Sequence, residues 1–413
     1  MKSKPVWLAV PAVLLLAAIV LLMAWPWTEQ WSWQPFFRYL PFGLFMLAAF
    51  LGVAFTQTRV TFLASYAAAA AALLDHAYFG AADRARGDAT LILASVMFPI
   101  LTAVFYRLDE RGIFTPPGAT RIFAILLAAG LLCAAPLVHG FQAGVEASVP
   151  SLHTVAGWWR IPGLGVLALL VGMPFLAYPH KGESPMLGPL MAVAVIFLTA
   201  MLNFQSSLWR EAQQQTALLL FSSLAAMALI ATVLEGVWRH MNIDELTELP
   251  GRRPFRHHLR CLGGDYTMAI VDLDHFKRIN DAHGHSVGDQ VLKFVAAELS
   301  RLATGRVYRY GGEEFAVVYE GKSYEQVLDN LDDLRDLVSQ RAFVLRRPDR
   351  PGVKPRKVAP GTAQPAEKLL LTVSVGAARA GAHYATPQET LEAADQALYQ
   401  AKEQGRNRVC YVK

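Results

Sequence analysis

The stretch RYGGEEFAVVYE, from Arg309 to Glu320, decides how the C-terminal part of this chain folds. Apolar and aromatic residues on either side read as two strands, RVYRY and FAVVYE, joined by the residues from Gly311 to Glu314. A plain hairpin would be served by Asn-Gly or Asp-Gly. Here two glycines are followed by Glu313 and Glu314, adjacent like charges that repel unless something positive lies beside them. The corner therefore reads as a site as well as a turn. Upstream, YTMAIVDLD is an apolar run ending in acids, a buried strand with Asp272 and Asp274 at its tip. SVGDQVLKFVAAELSRL places Val287, Val291, Val295, Leu299 and Leu302 on one helical face. SYEQVLDNLDDLRDLVSQ is a second amphipathic helix, LLLTVSVGAA a further strand, and TPQETLEAADQALYQAKEQG a third helix with Gly405 as its C-cap. The pattern predicts a mixed α/β sheet with helices on its faces.

If these strands are neighbours, Asp272, Glu313 and Glu314 converge at one edge of the sheet. Oxygen-rich clusters of this kind suit Mg²⁺, which binds through one or two carboxylates and substrate phosphates. Two such ions could bridge a nucleophile and a triphosphate in an in-line displacement. Gly311 and Gly312 are then expected to adopt positive φ and to let backbone approach phosphate without a Cβ in the way. Lys402 and Arg406, four apart at the end of the last helix, form a cationic pair suited to phosphates. Taken alone they also fit a solvated helix end favoured by the macrodipole.

The chain has 413 residues, 54% hydrophobic and 17% charged, with a net charge of +5. No long basic tract is present, which argues against nucleic-acid binding. Cys133, Cys261 and Cys410 fit no metal-ligand spacing. Hydrophobicity is concentrated before about Trp238. Runs near 6–26, 38–56, 59–79, 89–106, 120–140, 162–180, 186–204 and 214–237 approach the ~20 residues needed to cross a bilayer. They predict an integral membrane domain of about eight spans over 1–237, with both ends cytoplasmic by the distribution of Lys and Arg. Trp25, Trp27, Trp31 and Trp33 suit an interfacial belt. Asp75 and His76 are the adjacent ionisable pair well inside an apolar run, read either as an interfacial pair or as a sensor. No stimulus is named by these residues. A connector over 238–243 leads to the soluble domain over 244–413. Within it a Pro-rich basic insertion at 346–368 reads as a flexible loop, or as a contact for anionic lipid.

RYGGEEF, VDLDHFKRINDAHGHSVGDQVL, DELTELPGRR, LTVSVGAA and ADQALYQAKEQGRNRV occur in an order that resembles the GGDEF domain of diguanylate cyclases. The resemblance implies a nucleotide-cyclase or polymerase-palm-like α/β domain behind the membrane region. It implies an enzyme of the bacterial inner membrane that condenses two GTP into cyclic di-GMP, with two Mg²⁺ per site (or Mn²⁺ in their place) and a homodimer. Asp272 and Glu313, with the Leu273 carbonyl, match metal ligands. Glu314 matches the second acid, in metal binding or in proton removal from the 3′-OH. Asn280 and Asp289 match the guanine readers, and a carboxylate accepting from N1–H and N2–H₂ would select against adenine. Asp289 alone would also suit the acidic start of a helix. Phe276, Lys277, Lys402 and Arg406 match the residues that hold phosphates. The alternative is a non-catalytic GGDEF module that binds nucleotide and regulates a membrane receptor or transporter. Two departures stand out. The family's RxxD product site is replaced by Leu302-Ala303-Thr304-Gly305, and in DELTELPGRR Glu248 stands where glycine is usual and Gly251 where asparagine is usual.

Overall fold

All eight residues of strand β1 (Tyr266–Leu273) are buried, as its nearly unbroken apolar run requires. In the computed structural model, residues 34–74, 93–94, 96–104, 112, 115–134, 211–345, 368–381 and 383–412 are described. The chain divides into two compact units, Met1–Trp238 and Arg239–Lys413.

In the first unit the described helices are α1 (Gln34–Ala54), α2 (Thr58–Leu74), a helical stretch over 96–104, α3 (Pro116–Ala134) and α4 (Glu211–Asn242), whose end passes the division. Their core includes Phe45, Leu63, Tyr66, Phe221 and Leu229. Tyr66 meets Phe98 with ring centroids 5.3 Å apart. The outward faces are apolar too: Met46, Phe50, Phe123, Leu126, Met227 and Leu234 are exposed. Among the described residues one helix, Leu219–Asn242, is long and apolar enough to cross a membrane, while Tyr39–Ala54 and Pro116–Leu131 are shorter apolar helices. Of the expected spans, the run near 214–237 falls on this qualifying helix. The runs near 38–56, 59–79 and 120–140 fall on the helices described over Gln34–Ala54, Thr58–Leu74 and Pro116–Ala134. The runs near 6–26, 162–180 and 186–204, the Trp25–Trp33 cluster, Asp75, His76 and the insertion before Lys368 lie outside the described residues.

The second unit contains, after β1, helices α6 (Phe276–His283), α7 (His285–Leu302), α8 (Tyr324–Gln340) and α9 (Pro387–Glu403), preceded by α5 (Arg252–Cys261). Strands β2 (Arg306–Arg309), β3 (Glu314–Glu320), β6 (Val373–Arg379) and β7 (Val409–Val412) join β1 in the order β2-β3-β1-β6-β7, and β4 (Phe343–Val344) pairs with β5 (Lys368–Leu369). All pairings in the main sheet are antiparallel except β6 with β7. Odd-numbered β1 residues such as Ala269 and Val271 pack with Val291, Val295, Leu299, Leu331 and Val338 of α7 and α8. Even-numbered Met268 and Ile270 pack with Phe255 of α5 and Ala394 and Leu398 of α9. The period of two along the strand thus assigns each helix pair its face.

Helices α8 and α9 both begin with a reciprocal cap, Ser323 with Gln326 and Thr386 with Glu389. The sequence reading had no place for α5, α6 and β7, because short elements carry little periodicity. Helix α9 lies directly on β6 at Gly376, where a Cβ would overlap the Leu398 amide and the Ala394 carbonyl. We expect Gly376→Ala to lower stability by about 3 kcal/mol in denaturant unfolding, since backbone rather than a flexible side chain must move. Glu248 occupies φ 59°, in the left-handed region, at the position where the resemblance leads one to expect glycine. Glu248→Gly should stabilise by about 1 kcal/mol by removing the Cβ conflict, and a lowered melting temperature would contradict this reading of the turn.

Candidate active site

Asp272 stands at the last pairing of β1 with β3, directly opposite Glu314. The Leu273 amide donates to the Glu313 carbonyl at 3.3 Å. The two chain segments that carry the acids are therefore joined by the ladder itself. Even parity puts Asp272 and Glu314 on the face covered by α9, and Lys402 from that helix reaches Asp272 Oδ2 at 2.9 Å. Asp272 is 4% exposed. Burial pushes its carboxyl up, the Lys402 contact pulls back, and Asp274 pushes up again. Glu313 is also raised, first by burial and then by Asp272. Glu314 follows the same order, with Asp395 adding to the rise and Arg252 opposing it.

The hairpin is held by Arg309. Its guanidinium donates to the Gly312 carbonyl at 2.7 Å, to the Gly311 carbonyl at 3.2 Å and to Asp244 Oδ1 at 2.8 Å. Asp244 Oδ1 also accepts from the Thr247 amide and hydroxyl at 2.8 and 2.7 Å. Burial works against ionisation of Asp244, but these hydrogen bonds prevail and its carboxyl falls below the ordinary range. Arg309 and Asp244 carried no role in the sequence reading. The available signal was an arginine inside a strand, next to two glycine carbonyls that need donors.

Neither Gly311 nor Gly312 has positive φ, contrary to expectation. The reason for glycine differs at the two positions. A Cβ at Gly311 would collide with the Glu314 carboxylate, whereas one at Gly312 would meet nothing within 4 Å. The first glycine makes room for the acid, and the second leaves open space beside it.

Asn280 lies on α6 with its Oδ1 buried and lacking a hydrogen-bond partner. That oxygen is so close to Gly288 that a Cβ there would overlap it, which brings Asn280 beside the neighbour of Asp289. Asp289 is exposed and lies beyond the first turn of α7, so the helix-start role does not suit it. Phe276 gives its side chain to the core, leaving only backbone for a ligand, while Lys277 is exposed. Leu273 is 1% exposed and likewise has only backbone to offer. Arg406 is not on the helix with Lys402. Helix α9 ends at Glu403, and Arg406 follows in a left-handed turn at φ 64°. Both cations nevertheless act on Asp272.

Among the described residues no group of three His, Cys, Asp or Glu side chains is placed to hold a metal ion by itself. The donor set is nevertheless one of hard oxygens whose charges raise one another, with one Asp272 oxygen engaged by Lys402. It fits a cation that completes its shell with oxygens from a bound molecule, as Mg²⁺ does, and does not fit a metal caged wholly by protein.

The carboxylates make a stability prediction. A raised carboxyl binds more protons in the folded chain than in the unfolded one, so stability falls as pH rises through its folded pKa. At pH 7 with a chelator present, Glu313→Gln should therefore melt roughly 1–3 °C above the parent chain. The advantage should vanish near pH 4, where the parent's own Glu313 is protonated. A variant that melts lower at pH 7 would show that the carboxylate is not under repulsion.

Comparison with known proteins adds three findings. The family described as diguanylate cyclase, GGDEF domain, matches residues 241–352 and 356–408. The uncharacterized protein YhcK of Bacillus subtilis is 34% identical over 180 residues, 41% of this chain and 45% of its own length. Diguanylate cyclase DgcP of Pseudomonas aeruginosa is 36% identical over 175 residues, 40% of this chain and 23% of its own length. This chain thus spans less than half of the curated relatives it matches. The solved coiled coil and GGDEF domain of DgcB from Caulobacter crescentus, in complex with c-di-GMP, is 32% identical. It covers 47% of this chain and 97% of the solved one, with a TM-score of 0.40.

Proposed function

We propose, from the match of residues 241–352 and 356–408 to the GGDEF family, that the chain is a membrane-bound diguanylate cyclase. The observation that carries the reading is the juxtaposition of Asp272 with Glu314 across the ladder, with Glu313 beside them and Lys402 on Asp272. The reaction joins two GTP: each 3′-oxygen loses its proton and forms a bond to the other nucleotide's α-phosphorus, and each pyrophosphate leaves with the electron pair of the bond that breaks. A divalent cation, Mg²⁺ or Mn²⁺, held by Asp272, Glu313, Glu314 and the Leu273 carbonyl, would supply charge neutralisation on the phosphates.

The protein's own groups take distinct parts. Glu314, raised by burial and by Asp272, is matched to accept the 3′-OH proton. Lys402 and Arg406 balance phosphate charge, and exchange of the Lys402–Asp272 contact for phosphate frees a carboxylate oxygen. Lys277 and the backbone at Phe276 lie at the start of α6 for the same phosphates, where first-turn amides lack intrahelical acceptors. The unpartnered Asn280 oxygen and Asp289 accept from guanine. One chain offers one hairpin, so the cyclic product calls for a second copy facing it, and alignment of the two nucleotides is a proximity effect.

The apolar helix Leu219–Asn242 and the exposed apolar faces of α1 and α3 support a membrane location for the first unit, with the catalytic unit in the bacterial cytoplasm. Control by the membrane part through dimer geometry is part of the same proposal. The replacement of RxxD by Leu302-Ala303-Thr304-Gly305 also has a steric side. A Cβ at Gly305 would meet the Val318 carbonyl and the Tyr319 ring, so an aspartate does not fit there without rearrangement.

The full chain in detergent, incubated with GTP and Mg²⁺, should form cyclic di-GMP, and Glu313→Ala should reduce the rate on the order of 100-fold or more. Nucleotide retention with no product, in parent and variant alike, would replace the enzyme with a binding module.

A further inference from the structure

A buried carboxylate that the reaction above does not use stands two residues beyond Asp272. Asp274 is 6% exposed and caps the end of β1. Its Oδ1 accepts from the Ser374 hydroxyl at 2.6 Å. Its Oδ2 accepts from the Thr372 hydroxyl at 2.8 Å and from the Asn407 amide at 3.1 Å. Its own amide donates to the Thr372 carbonyl at 3.0 Å. One side chain therefore fastens three segments: the tip of β1, the start of β6 and the turn after α9.

The last of these is the informative one. Gly405, Arg406 and Asn407 have φ of 109°, 64° and 45°, three consecutive residues in the left-handed region. Glycine takes this conformation freely, while arginine and asparagine do so at a cost that the surroundings must sustain. The turn is pinned before Arg406 by its amide on the Ala401 carbonyl at 2.9 Å. It is pinned after Arg406 by the Asn407 amide on Asp274. Arg408 Nε reaches the Arg406 carbonyl at 3.2 Å. The Arg406 side chain is exposed.

We propose that Asp274 is a positioning residue for the triphosphate: it holds the left-handed turn that aims Arg406 at the phosphates, and so sets how strongly the site distinguishes GTP from guanosine nucleotides with fewer phosphates. The proposal rests on the nucleotide reading of the site given above. It separates two clamps at one end of the sheet. Arg309 with Asp244 fixes the acidic hairpin, and Asp274 fixes the cationic turn opposite it. A bond from a carboxylate to a backbone amide is charge-assisted, and an asparagine would replace an acceptor by an NH₂ group facing donors.

The test is calorimetric binding of 3′-deoxy-GTP, which cannot cyclise, and of GMP to the full chain in detergent, in parent, Asp274→Asn, Arg406→Ala and the double variant. Asp274→Asn should weaken 3′-deoxy-GTP about tenfold and leave GMP within about twofold. In the Arg406→Ala background Asp274→Asn should cause no further loss of the ratio, because it acts through that arginine. In turnover, KM for GTP should rise more than kcat falls. If Asp274→Asn does not fold, Ser374→Ala removes the 2.6 Å bond while keeping the charge, and should shift the ratio in the same direction by about two- to threefold. A folded variant with the parental ratio, or an equal loss for both ligands, overturns the role of Asp274. A parent chain that binds neither ligand, or binds both equally, overturns the nucleotide reading itself.

Discussion

Asp272 concentrates negative charge where the protein can least disperse it: buried, at the end of a central strand, with Glu314 directly across the ladder and Glu313 beside it. The antiparallel register makes this unavoidable, since residues paired across a ladder share a face. Lys402, in contact with Asp272, offsets part of the repulsion, and Arg406 and Arg252 add to that relief. The remaining imbalance is what gives the site an appetite for external positive charge, and it adds to burial, the larger cause, in pushing all three carboxyls upward. A site destabilised in the empty state and relieved on loading is the usual cost of catalytic geometry.

The surrounding structure can be understood as support for that arrangement. Backbone carbonyls of the hairpin are bound by Arg309, whose own charge is balanced by Asp244 in the turn that opens the domain. The cationic turn is bound by Asp274. Helix α9 is brought close enough for Lys402 to reach the acids because Gly376 has no side chain to hold it away. Moving any one of these elements by a fraction of an ångström would alter the distances among charges that depend steeply on separation.

Much of this was legible beforehand, and the reasons are specific. The long strand declared itself as an apolar run, Tyr266–Leu273, and the helices through periodicity, as in the Val291, Val295, Leu299 face. The gathering of Asp272 with the Glu313–Glu314 corner followed from strand adjacency. What escaped was information that lives in three dimensions. Gly311 is demanded by a neighbouring side chain and not by its own φ, which no single residue reveals. Arg406 seemed to stand with Lys402 at one helix end, yet the helix stops at Glu403 and a left-handed turn carries the arginine instead. The clamp residues Arg309 and Asp274 were quoted within motifs, but their partners lie 65 and 133 positions away.

The central claim is that these oxygens hold a divalent cation together with a guanosine triphosphate. The most direct measurement is the affinity of 3′-deoxy-GTP for the full chain, in excess Mg²⁺ and in excess chelator. Cooperative loading predicts binding at least about tenfold tighter with Mg²⁺ in the parent, and no such gain in Glu313→Gln. Equal affinity in both buffers, in a chain that binds the nucleotide, would contradict it.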